Sequence, residues 1–186
     1  MEKRNERRKT TTYDMICISL FAVLMAVCSW ISVPTVVPFT MQTFGLFFTL
    51  CVLGGKRGTM VILIYILLGT VGLPVFSGFQ SGAGVIMGTT GGYIIGFVLS
   101  CLLYWLAERL WGDRTVVQIG AMIAGMIAYY GFGTAWFIFV YLRTAGDVTM
   151  AAVLGWCVIP FIIPDLLKMA LAVVAGKRVK KMVKKI

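Results

Sequence analysis

Long apolar runs, almost free of charge and bounded by short basic clusters, constrain this chain more than any other feature. A helix needs about 20 such residues to cross the hydrocarbon core of a bilayer. Runs of that kind lie at approximately 14–33, 40–54, 58–77, 91–111, 116–141 and 150–175. In lipid every backbone N–H and C=O must find an internal partner, which a helix supplies and an open loop does not. The expected fold is therefore all-α, a six-transmembrane-helix bundle. Composition agrees: 13% of residues are charged and 60% are apolar, against about 25% charged in a soluble domain. The second run is short, and Pro74 blurs the end of the third. The run from Met15 to Val33 follows a basic segment, but it is long for a signal peptide and no small-residue cleavage site follows it, so it reads as a retained helix. The chain divides into a basic N-terminal extension (1–13), a transmembrane domain (14–177) and a basic tail (178–186).

Charge fixes the expected orientation. With the N-terminus inside, 15 of the 17 Lys and Arg residues fall on the cytoplasmic side. They include Lys3, Arg4, Arg7, Arg8 and Lys9 at the start, and Lys56, Arg57, Arg109 and Arg114 in the inner connections. Lys177, Arg178, Lys180, Lys181, Lys184 and Lys185 follow at the end. The outer segments 34–39 and 78–90 carry no charge. This asymmetry predicts both termini in the cytoplasm of a multi-pass cell-membrane protein. It also explains the net charge of +10 without nucleic acid, for which no soluble domain is left.

Two residues break the pattern. Asp165 and Lys168 stand three apart within the last apolar run, just after Pro160 and Pro164. At that spacing they share a helix face, and each charge near the bilayer centre costs roughly 2.5–3.5 kcal/mol on insertion scales. They read either as an internal ion pair that steadies the bundle or as an acceptor and a donor facing a cavity. The prolines favour the cavity, because they leave carbonyls without intrahelical partners. A second polar island, Thr40, Gln42 and Thr43, is either a helix cap or a ligand contact suited to an amide or urea group. The uncharged, glycine-rich stretch 73–92, "LPVFSGFQSGAGVIMGTTGG", is either a flexible connector or a wall whose main chain a ligand can approach. Ala22 and Ala26 form an AxxxA on the first helix, suited to close approach of another helix, internal or foreign. The tryptophans and tyrosines fit interfacial belts.

The missing groups narrow the chemistry. Histidine is absent, and the five cysteines lie singly in apolar runs, so neither a metal site nor a cofactor is expected. The sequence has no P-loop, no GxSxG and no HExxH. A membrane enzyme would have to run on Asp165 with Lys168 alone, whereas a carrier needs only binding groups.

Three stretches, "VPFTMQTFGLFFTLCVLGGKRG" (37–58), "LLGTVGLPVFSGFQSGAGVIMGTTGGYIIGF" (67–97) and "IPDLLK" (163–168), occur in an order and at a spacing that resemble the BioY family, the biotin-specific substrate-binding (S) components of energy-coupling-factor (ECF) vitamin importers. The likeness spans about 15–175. It departs at Thr89, where the family usually has proline. The resemblance implies that the chain is not an enzyme. It implies biotin capture at the outer face of a prokaryotic plasma membrane, with the loop between the first two helices closing over the site. It also implies two kinds of partner, a membrane-embedded coupling protein and two cytoplasmic ATPases. Asp165 would accept from the ureido N–H groups of biotin, and Lys168 would donate to the ureido oxygen or steady Asp165; the opposite assignment, with Lys168 on the biotin carboxylate, stays open. Gln42, Thr43, Phe79, Gln80, Gly91, Gly92 and Tyr93 would complete the site, and Ala22 and Ala26 would meet the coupling protein. A component for another small vitamin is the nearest alternative.

Overall fold

Helices carry nearly all of the structure. A computed structural model describes residues 12–144 and 146–183. The terminal basic clusters at Lys3–Lys9 and at Lys184–Lys185 lie outside the described residues. The chain runs through α1 (Thr12–Trp30), a two-stranded ribbon of β1 (Ser32–Val33) and β2 (Phe39–Thr40), and then α2 (Gln42–Val71). A 3₁₀ turn (Ser77–Phe79), α3 (Ala83–Met87), α4 (Gly91–Trp111), α5 (Thr115–Thr144), α6 (Met150–Cys157) and α7 (Ile159–Val183) follow. Five helical stretches are long and apolar enough to cross a membrane, the last of them spanning α6 and α7. The runs expected at 40–54 and 58–77 are joined into α2.

The path of α2 is nonetheless a hairpin. In a straight helix Gln42 and Tyr65 would stand roughly 34 Å apart, yet the Gln42 Nε2 donates to the Tyr65 hydroxyl across 2.9 Å. The reversal falls at Gly54, with φ 79° and ψ 175°, a conformation that glycine adopts without the steric cost of a Cβ. The next N–H, that of Gly55, donates to the Glu108 carboxylate of α4 at 2.8 Å, which satisfies one orphan donor of the second arm. A Cβ on Gly55 would overlap the backbone of Trp105, so α4 and the hairpin turn touch main chain to main chain.

The second arm stops at Val71, earlier than the expected 77. Gly72 caps it at φ 115° and Pro74 prevents resumption. The last apolar run breaks at Val158 (φ −126°, ψ −60°). Pro160 is tolerated in the first turn of α7, whereas Pro164 lies inside the helix. Helix α7 then runs through Lys177 to Lys181, beyond the boundary expected at 177.

A seam of small residues joins α4 to α5. Added Cβ atoms would meet Tyr129 from Gly96, Ser100 from Gly125, Tyr93 from Gly133 and Trp136 from Gly92. Without a hydrophobic drive between helices in lipid, such close approach is what holds them together. Ala22 and Ala26 are only 3% and 5% exposed, because α1 turns its small-residue face onto the chain's own core, the internal one of the two readings. One expectation is corrected here. Tyr65, Tyr93, Tyr104 and Tyr129 are buried and do not form an interfacial belt.

Candidate functional site

At the end of the bundle opposite the Gly54 turn, α2, α4, α5, α6 and α7 surround a cavity, with Val37 and Pro38 of the ribbon loop beside it. Most of its wall is apolar or aromatic: Phe76, Tyr93, Ile94, Phe97, Cys157 and Phe161. One pole is charged. Asp165 and Lys168 are 2% and 5% exposed, and Lys168 Nζ sits 2.9 Å from Asp165 Oδ1.

Burying these two charges without full hydrogen bonding would cost several kcal/mol per ion. The surrounding elements supply the bonds. Thr43, in the first turn of α2, donates to Asp165 Oδ1 at 2.8 Å. The neighbouring Tyr129 and Tyr130 of α5 donate to Oδ2 at 2.9 and 2.7 Å. With Lys168 these make four donors on one carboxylate, which offers about four acceptor positions. The three protons of Lys168 are matched as well, to Asp165 at 2.9 Å, Thr43 Oγ1 at 3.3 Å and the Thr40 carbonyl at 2.7 Å. The Lys168 ammonium also lies 4.0 Å from the centre of the Phe39 ring, close enough for cation–π attraction. Phe39 in turn packs on Phe161 of α7. Lys168 therefore ties the β1–β2 ribbon to α7, across the mouth of the cavity.

A second network organises the other rim. Gln42 donates to the Tyr65 hydroxyl, which donates to the Val75 carbonyl at 3.1 Å. Trp30 Nε1 reaches the Pro74 carbonyl at 2.8 Å and Ser29 Oγ reaches the Val75 carbonyl at 2.5 Å. Gly82 donates to the Gly69 carbonyl at 2.7 Å. The glycine-rich segment is thus held in place by α1 and α2, which excludes the reading of it as a loose connector.

Of the residues singled out from sequence, Asp165, Lys168, Gln42, Thr43, Gln80 and Tyr93 line the cavity. Three do not. Phe79 is 62% exposed and stacks on Trp30 at 5.0 Å; its positive φ of 59° turns the side chain out of the 3₁₀ turn. Gly91 and Gly92 are packing positions, set against Ile86 and Trp136. The main omission concerned Tyr129 and Tyr130, together with Phe97, Thr90 and Phe161. The adjacent tyrosines in mid-run were the available signal, since a phenol far from an interface needs a polar partner.

The BioY family model matches residues 2–185. A biotin transporter BioY of Thermotoga maritima is 37% identical over 171 residues, covering 91% of this chain and 96% of that protein. Biotin transporter BioY2 of Lactococcus lactis is 32% identical, covering 91% of each. Among solved structures, the S-component for biotin from an ECF-type ABC transporter superposes with a TM-score of 0.77 at 22% identity, over 91% of each chain, a likeness of fold.

Proposed function

This chain belongs to the BioY family, and from that premise we propose that it is the biotin-binding S component of an ECF-type importer. The observation that carries this reading is the cavity itself: an aromatic and aliphatic chamber with a single, fully buried pole of one carboxylate and one ammonium. Biotin has matching parts. Its ureido head offers two N–H donors and a carbonyl acceptor, and its fused rings and valeryl chain are apolar. The head meets the pole of Asp165, Lys168 and Thr43, with Gln42 and Gln80 at the rim. The rings lie against Phe76, Tyr93 and Phe97.

The α2 hairpin counts as two crossings, giving six in all, with both termini in the cytoplasm and the ribbon at the outer face. The distribution of Lys and Arg supports that orientation. Energy comes from partners, a membrane-embedded coupling protein and two cytoplasmic ATPases. The chain carries biotin and makes no covalent bond to it, as befits relatives named transporters. It uses no cofactor; biotin is cargo.

Calorimetric titration of the purified chain with biotin, thiamine and riboflavin tests the proposal. Saturable heat with biotin alone, and unchanged biotin recovered afterwards, is the expected result. Tighter binding of either other vitamin overturns the assignment of substrate, and recovery of a chemically altered ligand overturns the carrier reading.

A further inference from the structure

We infer that Tyr130 is the exchangeable partner of Asp165: its hydroxyl holds the acceptor position that a ligand N–H takes when the cavity fills. The inference rests on the proposed reading of the cavity as a biotin site. Its starting point is a count. Oδ1 of Asp165 already accepts from Thr43 and Lys168, and Oδ2 from Tyr129 and Tyr130. A carboxylate has about four such positions. A guest donor therefore reaches Asp165 only by replacing one of the four.

Three of them are held elsewhere. Lys168 is also bound to the Thr40 carbonyl and lies over Phe39, and its departure would strand a buried charge. Thr43 is buried in the first turn of α2 and accepts from Lys168 as well. Tyr129 also borders the cavity, but it is 2% exposed, its backbone is packed on Gly96, its ring stands edge-on to Phe97 at 5.3 Å, and it does not line the groove behind Tyr130.

Tyr130 differs in its surroundings. It is half-buried, and it belongs to two walls at once. One side of the ring faces the cavity. The other lines an apolar groove between α5 and the α6–α7 pair, with Ile127, Gly131, Leu154, Val158 and Ile162. The ring can withdraw into that groove while Tyr129 keeps one bond on Oδ2. In the empty protein Tyr130 completes the shell of the carboxylate; in the loaded protein the ligand does. The residue thereby raises the stability of the empty state at the expense of affinity.

The test is calorimetry on the full-length chain in detergent, with biotin as probe. Tyr130→Phe removes the competing donor and frees a position on Oδ2. Its expected biotin affinity is about ten- to a hundredfold higher than wild type, the equivalent of one hydrogen bond to a charged group. The empty variant melts at lower temperature, and biotin raises its Tm by more than it raises that of wild type. Tyr129→Phe is expected to bind biotin more weakly. Equal or weaker binding by Tyr130→Phe beside a normal wild-type isotherm overturns the exchange and leaves the biotin reading standing. A flat wild-type isotherm overturns both. A second measurement needs no substitution at this position. In wild-type protein labelled with 3-fluorotyrosine, saturating biotin is expected to move the fluorine resonance of Tyr130 and to leave that of Tyr129 near its starting position. An unmoved Tyr130 resonance overturns the proposal.

Discussion

Two buried tyrosines on neighbouring helices show how differently the two halves of the bundle treat polar groups. At the cavity end Tyr129 of α5 donates to a carboxylate that is fully matched. Toward the opposite end, Tyr104 of α4 is 1% exposed, yet its hydroxyl finds no hydrogen-bond partner among the described residues, and neither does that of Ser100. A buried hydroxyl without a partner costs roughly 1–3 kcal/mol. The half near the hairpin turn has close-packed main chain at Gly55 against Trp105 and at Gly125 against Ser100, which helps it to tolerate that cost. The cavity half keeps the close contacts at Gly92, Gly96 and Gly133, and the polar groups around its open space are hydrogen-bonded.

Substitutions can break this contrast. The largest effect is expected for Asp165→Asn, which keeps the shape of the side chain but leaves Lys168 buried beside a neutral amide. A loss of about 2–5 kcal/mol in biotin binding is expected, visible as disappearance of the calorimetric isotherm. Unchanged affinity would show that the charged pole is purely architectural. Next comes Ala22→Leu. A bulky residue on the buried face of α1 overpacks the core and is expected to lower stability by about 1–3 kcal/mol, read as a fall in Tm before any partner is added. A variant with wild-type Tm that fails only in assembly with partners would return this face to a docking role. Tyr129→Phe is expected to remove about 1.5–3 kcal/mol, as for a hydrogen bond to a charged group, and denaturation in the absence of ligand measures it. Smallest is Tyr104→Phe. Deleting a hydroxyl that has no partner is expected to change stability by under about 0.5 kcal/mol or to raise it. A clear loss in that variant would erase the distinction between the two halves.

Much of this was legible in the amino-acid order. Charge within oil pointed to Asp165 and Lys168, since only enclosure and mutual pairing make them tolerable there. Gln42 and Thr43 stood out for the same reason. The turn at "GGKRG" was visible as a basic interruption between two apolar runs, and the Gly54 hairpin falls there. Tyr129 and Tyr130 were harder to assign, because a tyrosine in an apolar helix is equally at home at an interface, and only the tertiary fold brings the Tyr129 hydroxyl to a carboxylate 36 residues away. Phe79, Gly91 and Gly92 fall outside the cavity lining for a related reason. Glycine beside an aromatic predicts close approach to something, and here that something is Trp136, the Ile86 carbonyl or solvent. The AxxxA of α1 carried the same ambiguity, since a small-residue face says that a helix comes near without saying whose.

The latch between ribbon and bundle has one further consequence. Its keeper is the Thr40 carbonyl, a main-chain atom, and every amino acid at position 40 would present it. Drift at that position therefore leaves the fastening intact. The hold of α7 on the ribbon therefore rests on Lys168, on the ring of Phe39 and on the peptide plane of residue 40. One ammonium thereby serves both the charged pole and the ribbon.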